Sequence, residues 1–143
     1  YPLVFFQSTI PQIPLNIQSK QTDYTASFLE HPISKLPIGI EMYFKNPSVV
    51  TRYELNASQY GKDSTDRMPK KWIFQGYDPQ SKKWIDLHTV QNSQKWIPSE
   101  KRSFNFTNKQ KYPIYRLFVN ELNTNTNIIR IGELKMFNEN LKK

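Results

Sequence analysis

The sequence predicts an all-β domain, a sandwich or barrel of antiparallel strands, and three observations support that prediction. Seven short segments alternate apolar and polar side chains, and turn-forming residues separate them at roughly regular spacing. Aromatic residues make up 14% of the 143 residues, and such side chains favour strands over helices. No segment keeps apolar residues at helical spacing for three turns. A chain of this length has room for one domain with a substantial core.

Residues 1–21 are predicted to form a proline-rich N-terminal arm that packs on the domain. Its prolines are Pro2, Pro11 and Pro14. Because proline fixes φ and lacks an N–H, these positions suit an edge strand or an extended segment rather than a helix or a central strand. The alternative is an arm that packs on a neighbouring subunit or domain.

The sandwich is assigned to residues 22–138, and residues 139–143 are expected to form a solvated tail. It is predicted to start with a long polar loop over residues 22–36. Alternation of apolar and polar side chains then predicts seven strands, 38–45, 49–56, 72–77, 83–87, 103–107, 115–119 and 128–137.

The strands 72–77 and 83–87 are predicted to form a hairpin. Residues 78–81 between them are Asp-Pro-Gln-Ser, in which Pro presets φ and Asp and Ser can bond their own backbone. Two aromatic-rich strands joined in this way suggest a place in the core of a sheet. We expect Trp72 and Trp84 to be core residues.

Five short motifs follow one another along the second half of the chain. They are Asp66-Arg67-x-Pro69-x-x-Trp72-x-Phe74-x-Gly76, Trp84-x-x-Leu87, Phe104-x-Phe106, Tyr112-x-x-Tyr115-Arg116-Leu117 and Ile129-x-Ile131-Gly132-Glu133-Leu134. In this order they resemble the strands of the coagulation factor type-C, or discoidin-like, domain, over roughly residues 38 to 137. The resemblance implies an antiparallel jelly-roll β-sandwich of the galactose-binding type. It also implies a non-catalytic, lectin-like module that binds carbohydrate.

The order of the strands predicts where a ligand would bind. If consecutive strands run antiparallel, their connections alternate between the two ends of the sandwich. The short turns then share one end, over residues 45–48, 78–82 and 108–113. The longer loops share the other end, over residues 22–37, 57–70, 90–102 and 120–127. Because long loops on a rigid scaffold usually carry binding sites, we expect the ligand at the long-loop end.

Seven residues of the long loops are predicted to bind the ligand. Trp96 is the first candidate to stack on the apolar face of a sugar ring and Tyr60 is the second; the alternative for Trp96 is a core aromatic that anchors its loop. The planar polar groups that could pair with sugar hydroxyls are Asp63, Asp66, Arg67, Asn123 and Asn125. For Arg67, an ion pair with Asp66 or Asp63 that only holds the loop is the alternative.

The resemblance further implies a structural Ca²⁺, and no other cofactor is expected. Glu133 occupies the position on the last strand where the family places an acidic ligand. The family's usual Asp-Gly pair is absent between residues 24 and 36. Calcium needs several oxygen ligands, and the sequence identifies only this one.

Composition argues against two function classes. With four Gly, two His and no Cys, the sequence shows no nucleophile elbow, phosphate-cradling loop or His-rich metal motif, so no enzymatic activity is expected. The net charge of +8 favours anionic partners in general. Lysine pairs precede Trp72 and Trp84 as they do in single-strand binders, but core tryptophans cannot stack on bases, so nucleic acid is not an expected partner.

The favoured function is attachment of a larger protein or particle to cell-surface glycans, outside the cell or on a virion. Two alternatives stay open. One is a protein–protein assembly domain that uses the N-terminal arm. The other is binding to anionic phospholipid, through an apolar tip formed by Trp96, Ile97 and Met68 and a basic rim formed by Lys95, Lys101 and Arg102.

Overall fold

Ten strands make up the regular structure of the described residues, which are 3–7, 17–19, 23–33, 35–57 and 65–138 of a computed structural model. The strands are β1 (Leu3–Gln7), β2 (Ile17–Ser19), β3 (Asp23–Pro32), β4 (Ile38–Ser48), β5 (Arg52–Asn56), β6 (Pro69–Asp78), β7 (Lys83–Val90), β8 (Lys101–Asn105), β9 (Tyr112–Leu122) and β10 (Ile128–Phe137). These residues contain no helix that is long and apolar enough to cross a membrane.

The strands form two five-stranded antiparallel sheets that face each other. The first sheet has the order β1-β4-β9-β6-β7 and the second has the order β2-β3-β10-β5-β8. Every neighbouring pair is antiparallel. The all-β sandwich predicted from the sequence is therefore confirmed, with β9 and β10 at the centres of the two sheets.

The segment predicted as a long loop, residues 22–36, is mostly a strand, so that prediction is wrong. β3 pairs with β10 from one end to the other, and its first half also pairs with β2. The sequence of β3 mixes polar and apolar residues without clean alternation, and two neighbouring ladders satisfy its backbone instead. Only residues 33–37 remain to connect β3 to β4.

The first twenty residues contribute an edge strand to each sheet. β1 pairs with β4, and β2 pairs with β3. Edge strands are one of the two forms that the nearby prolines allow, because an edge strand leaves half of its N–H groups unpaired. The division of the chain into an arm, a domain and a tail stays a prediction.

The core lies between the sheets and is rich in aromatic side chains. Trp72, predicted to be a core residue, is fully buried. Tyr53 of β5 stacks on Phe74 of β6 with ring centroids 4.3 Å apart, which joins the two sheets. Tyr115 of β9 packs against Phe74 from the other side at 5.7 Å.

Trp84 does not lie in the core, and that prediction is wrong. The ladder between β6 and β7 shifts register after Phe74, which pairs with His88, while Tyr77 pairs with Trp84. The irregularity turns His88 toward the core and Trp84 toward the outer face of the first sheet. There the guanidinium of Arg116 lies 3.9 Å from the centre of the Trp84 ring.

A chain of hydrogen bonds links the core to β7. The indole N–H of Trp72 donates to the hydroxyl oxygen of Tyr53 at 2.8 Å, and that hydroxyl lies 2.7 Å from Nδ1 of His88. Because the Tyr53 oxygen already accepts the hydrogen bond from Trp72, the Tyr53 hydroxyl donates its own hydrogen to Nδ1 of a neutral His88. Burial lowers the pKa of His88 and raises the pKa of Tyr53.

The domain is expected to lose stability as the pH falls below the ordinary pKa of histidine, 6.5. The lowered pKa of His88 means that the unfolded chain takes up a proton before the folded chain does, so the free energy of unfolding decreases through this range. Urea denaturation at pH 7.5 and pH 5.5 measures the change. His88→Gln, which keeps an acceptor for Tyr53 but does not titrate, should reduce it, and an unaltered pH dependence would contradict the assignment.

Candidate functional site

The structure confirms that the long loops share one end of the sandwich. Here the long-loop end means the described residues between strands at 33–37, 57, 65–68, 91–100 and 123–127. Backbone hydrogen bonds join these loops to one another and to the adjoining strand ends: Ile33 N to Asn127 O at 2.8 Å, Thr124 N to Asp66 O at 3.2 Å, and Ser93 N to Lys70 O at 2.8 Å. The short turns meet at the opposite end, where Thr51 N donates to Phe137 O at 2.8 Å.

Trp96, the first candidate for stacking on a sugar, is buried with 1% of its surface exposed, so the prediction is wrong for this residue. Its indole N–H donates to the carbonyl of Pro69 at 3.0 Å. The guanidinium of Arg102 covers its ring at 4.0 Å from the centroid. Trp96 therefore anchors its loop to β6, which was the alternative that the sequence left open.

Arg102 also fixes the backbone that precedes Trp96. It donates to the carbonyls of Gln94 and Lys95 at 2.8 and 3.0 Å, and to the hydroxyl of Ser93 at 2.5 Å. Its Nε donates to Glu100 at 2.7 Å, and this bond from Arg102 lowers the pKa of the Glu100 carboxyl. One arginine thus holds residues 93–96 in a single arrangement.

Arg67 forms no ion pair with Asp66. Asp63, the other acid considered as its partner, lies outside the described residues. The guanidinium of Arg67 lies 3.6 Å from the carboxylate of Glu30 on β3, which also accepts from Arg130 at 3.0 Å. The carbonyl of Asp66 accepts from the backbone N–H and the hydroxyl of Thr124, both at 3.2 Å. Both residues hold loops together, and their role in ligand binding stays a prediction.

Asn123 and Asn125 lie in the same loop but do different things. The side-chain amide of Asn123 donates to the carbonyls of Thr65 and Met68 at 3.3 and 3.4 Å, which ties the loop to the start of β6. Asn125 is exposed. Tyr60 and Asp63, the other two predicted ligand residues, lie outside the described residues.

Within the described residues, two cavities at the long-loop end are lined in part by the loop 123–127. The first cavity has a volume of about 560 Å³ and is lined by Ile33, Lys35, Leu36, Asn125, Thr126 and Asn127. The second cavity has a volume of about 320 Å³ and is lined by Lys70, Asn92, Ser93, Gln94, Lys95, Asn123 and Thr124. Among the described residues, neither lining contains an acidic or aromatic side chain.

Of the residues that line the two cavities, the sequence predicted Asn123 and Asn125 as sugar ligands and Lys95 as part of a basic rim for lipid. Lys35 and Lys70 carry no local signal, because solvated lysines are common in loops and at strand ends. The signal that would have found them is placement, since the loops 33–37 and 91–100 flank the loop 123–127 only in three dimensions.

A third cavity, of about 680 Å³, lies at the short-turn end beside Pro79, Ile85 and Tyr112. It is the largest of the three, but its polar wall is engaged in turn formation. The carboxylate of Asp78 accepts from the backbone N–H of Gln80 at 3.0 Å and from the hydroxyl of Ser81 at 2.8 Å. These bonds confirm the turn chemistry expected for residues 78–81 and leave this cavity without a free carboxylate from Asp78.

The residues around Glu133 do not by themselves fit a calcium site. Glu133 lies on β10 with its carboxylate 3.9 Å from the ammonium of Lys135, and Asn56 is its cross-strand partner on β5. The side-chain oxygen of Asn56 is buried without a hydrogen-bond partner, so two oxygen donors lie on adjacent strands. Calcium takes six to eight oxygens. Across the described ranges no three His, Cys, Asp or Glu residues are grouped so that they could hold a metal, and Ca²⁺ at Glu133 stays a prediction.

The apolar tip expected for lipid binding is reduced to one residue. Met68 and Trp96 are buried with 0% and 1% of their surface exposed, whereas Ile97 is 64% exposed. One isoleucine buries little apolar area in a membrane interface. The structure therefore weakens the lipid alternative.

No protein-family model matches the sequence, and no curated protein sequence matches it. Solved structures do share its fold. The family 32 carbohydrate-binding module of Streptococcus pneumoniae EndoD matches with a TM-score of 0.59 and 17% identity, over 78% of this chain and 75% of that one. A family 32 module from Clostridium perfringens, solved in complex with GalNAc-β-1,3-galactose, matches with a TM-score of 0.61 and 12% identity, over 78% and 75%.

A third similar structure is the F5/8 type C domain of a Bacteroides fragilis protein, with a TM-score of 0.57 and 9% identity, over 77% of this chain and 72% of that one. Together these similarities confirm the discoidin-like jelly-roll sandwich that the five motifs implied. At such low identity they show the fold alone.

Proposed function

We propose that this chain is a non-catalytic carbohydrate-binding module that holds a glycan in the first cavity of the long-loop end. The observation that carries the proposal is the cavity itself, whose described lining is largely polar, contains no acid and comes from two loops of a discoidin-like sandwich. Family 32 carbohydrate-binding modules share this fold, one of them in complex with GalNAc-β-1,3-galactose.

The lining of the first cavity suits the two sides of a sugar ring. Amide groups from Asn125 and Asn127 and the hydroxyl of Thr126 offer donors and acceptors for sugar hydroxyls. Ile33 and Leu36 offer an apolar wall to the C–H face of the ring.

In the described parts of these loops Trp96 is the one aromatic residue, and it is buried, so these parts offer no ring for stacking. A sugar site without such a ring binds weakly, because stacking contributes much of the apolar contact. Useful affinity then comes from several copies of the module on a larger protein or particle, each binding one glycan. We place that assembly outside the cell, with cell-surface glycans as its partners.

Asn125→Ala is expected to abolish most of the signal on a glycan array, because it removes an exposed amide from the cavity without touching the core. A loss of one hydrogen-bonded amide costs about 1 kcal/mol, or roughly fivefold in affinity, and multivalent display amplifies it. Gln80→Ala is the matched control, since Gln80 is an exposed amide of the short-turn end.

Equal signal from wild type and Asn125→Ala on the same glycans would place the site elsewhere. A blank array for wild type at high density would overturn carbohydrate binding itself and would favour the assembly role. Thermal unfolding checks that both variants fold. Their melting temperatures should match that of wild type within about 2 °C, because neither side chain is buried.

A further inference from the structure

The second cavity is lined by two lysines, whereas Lys35 is the one lysine in the described lining of the first. The two are Lys70 at the start of β6 and Lys95 in the loop 91–100. Across the described ranges no carboxylate oxygen lies within 4.0 Å of either ammonium group. The rest of the described lining consists of amide and hydroxyl side chains, so these residues give the cavity two positive charges and otherwise neutral polar groups.

The walls of the second cavity are tied to each other. Ser93 N donates to Lys70 O at 2.8 Å, which fixes the loop 91–100 against β6. Arg102 holds the carbonyls of Gln94 and Lys95 on the outer side of that loop. On the opposite wall Asn123 is bonded to the chain entering β6. These bonds fix the backbone on both sides of the cavity, so a ligand can meet Lys70 and Lys95 without further ordering of the loops.

The nearest acid that the loop itself supplies is already engaged. Glu100 accepts from Arg102 at 2.7 Å and from the backbone N–H of Ile97 at 3.0 Å. Its charge is therefore compensated by Arg102 rather than by a lysine of the cavity. A ligand with its own negative charge would satisfy the two lysines, and an ammonium that meets a carboxylate or sulfate makes a strong, charge-assisted hydrogen bond.

One loop contributes to both cavities. Thr124 lines the second cavity and Asn125, the next residue, lines the first. A glycan that extends across this loop would contact both cavities. A volume of about 320 Å³ is at the lower end of the range for small-ligand sites.

We infer that the second cavity is an anionic subsite that takes the carboxylate or sulfate ester of an acidic sugar, next to the sugar held in the first cavity. The inference rests on the proposed function and specifies its ligand class: glycans that carry sialic acid, uronic acid or sulfate. An anionic membrane is the less favoured partner, because Ile97 is the one large apolar side chain that the described part of its loop exposes.

The test compares acidic sugars with neutral counterparts, and the pairs most closely matched are sulfolactose with lactose and digalacturonate with its methyl ester. Isothermal titration with lactose, 3′-sialyllactose, 3′-sulfolactose, a digalacturonate and its methyl ester covers both kinds of acid and their neutral counterparts. We expect acidic members to bind roughly tenfold or more tightly than neutral ones at low salt. That advantage should shrink as salt is added, since screening weakens charge interactions at a partly open site.

The deciding variant is Lys70→Gln with Lys95→Gln, which removes both charges and keeps polar side chains of similar length. It should lose at least tenfold in affinity for the acidic sugars and stay within about twofold for the neutral ones. Lys45→Gln with Lys109→Gln is the control, because both of these lysines are exposed at the short-turn end and carry the same total charge. It should change neither affinity by more than about twofold.

Each outcome separates the inference from the proposed function. Equal affinity for acidic and neutral sugars, with Asn125→Ala still reducing both, overturns the inference and leaves the proposed function standing. An equal loss in the two lysine variants also overturns it, because the charge effect would then be spread over the surface.

Lysine-dependent binding to vesicles of phosphatidylserine and phosphatidylcholine without binding to any sugar overturns both and supports a membrane partner. Binding of acidic sugars alone, lost in the Lys70/Lys95 variant and unaffected by Asn125→Ala, supports the anionic subsite and removes the first cavity.

Discussion

Trp96→Ala is expected to lower the free energy of unfolding by about 3–5 kcal/mol, the usual cost of truncating a buried tryptophan. The substitution removes the apolar contact of the indole, frees the carbonyl of Pro69 and uncovers the guanidinium of Arg102. Arg102 would then lose the surface on which it stacks while it fixes the loop 91–100. Urea denaturation followed by tryptophan fluorescence or circular dichroism measures the change.

The neighbouring residue supplies the control for this experiment. Ile97 is 64% exposed, so Ile97→Ala should change the free energy of unfolding by less than about 0.5 kcal/mol. A Trp96→Ala protein as stable as wild type would contradict the burial of this side chain and would restore Trp96 as a candidate for stacking. A glycan-binding defect in Trp96→Ala alone would not identify a contact, because loss of the loop has the same effect.

Tyr115→Phe is expected to destabilise the domain by about 2–4 kcal/mol, even though it removes a single oxygen atom. The hydroxyl accepts from the backbone N–H of Val50 at 3.0 Å and from the amide of Asn108 at 3.2 Å, and it donates to the carbonyl of Ser48 at 2.6 Å. It therefore closes the short-turn end, where the chain leaves β4 and crosses to the second sheet. Without it, a buried donor and a buried acceptor lose their partner.

Tyr77→Phe is the matched control for Tyr115→Phe, because Tyr77 lies half-exposed on the outer face of the first sheet. Its removal of the same atom should cost less than about 0.5 kcal/mol. Equal effects of the two substitutions would show that the buried hydroxyl does not stabilise the crossing. Hydrogen exchange of the Val50 amide, expected to accelerate in Tyr115→Phe, locates the change.

Most of the fold could be predicted from the sequence, because apolar and polar side chains alternate with a period of two residues in strands that face a core. Ile38, Ile40 and Met42 of β4 show that alternation, and all three are buried. β3 lacks it, since what stabilises this strand is its position between two others. Trp84 shows a different limit. Its side chain lies on the outer face because the ladder between β6 and β7 shifts register, and a shift of one residue moves every side chain beyond it to the opposite face of the sheet.

The candidate site was less accessible than the fold. Strand order was enough to predict which loops meet, and the long-loop end is as expected. Loop residues have no periodicity, so their burial could not be derived: Trp96 was an equal candidate for a sugar platform and for an anchor. The lysines of the second cavity become significant only because the fold brings residues 70 and 95 to the same cavity, although they are far apart in the sequence.

The position of β9 and β10 has a consequence for synthesis of the domain. Each is the middle strand of its sheet, and each is made after the strands that it joins. While the nascent chain leaves the ribosome, β4 and β6 lack the strand that lies between them until β9 is made. In the same way, β3 and β5 lack theirs until β10 is made. The first sheet cannot be completed until β9 has emerged at residue 122, and the second cannot be completed until β10 has emerged at residue 137. The aromatic-rich strands therefore stay exposed to chaperones and to other chains while most of this domain is made.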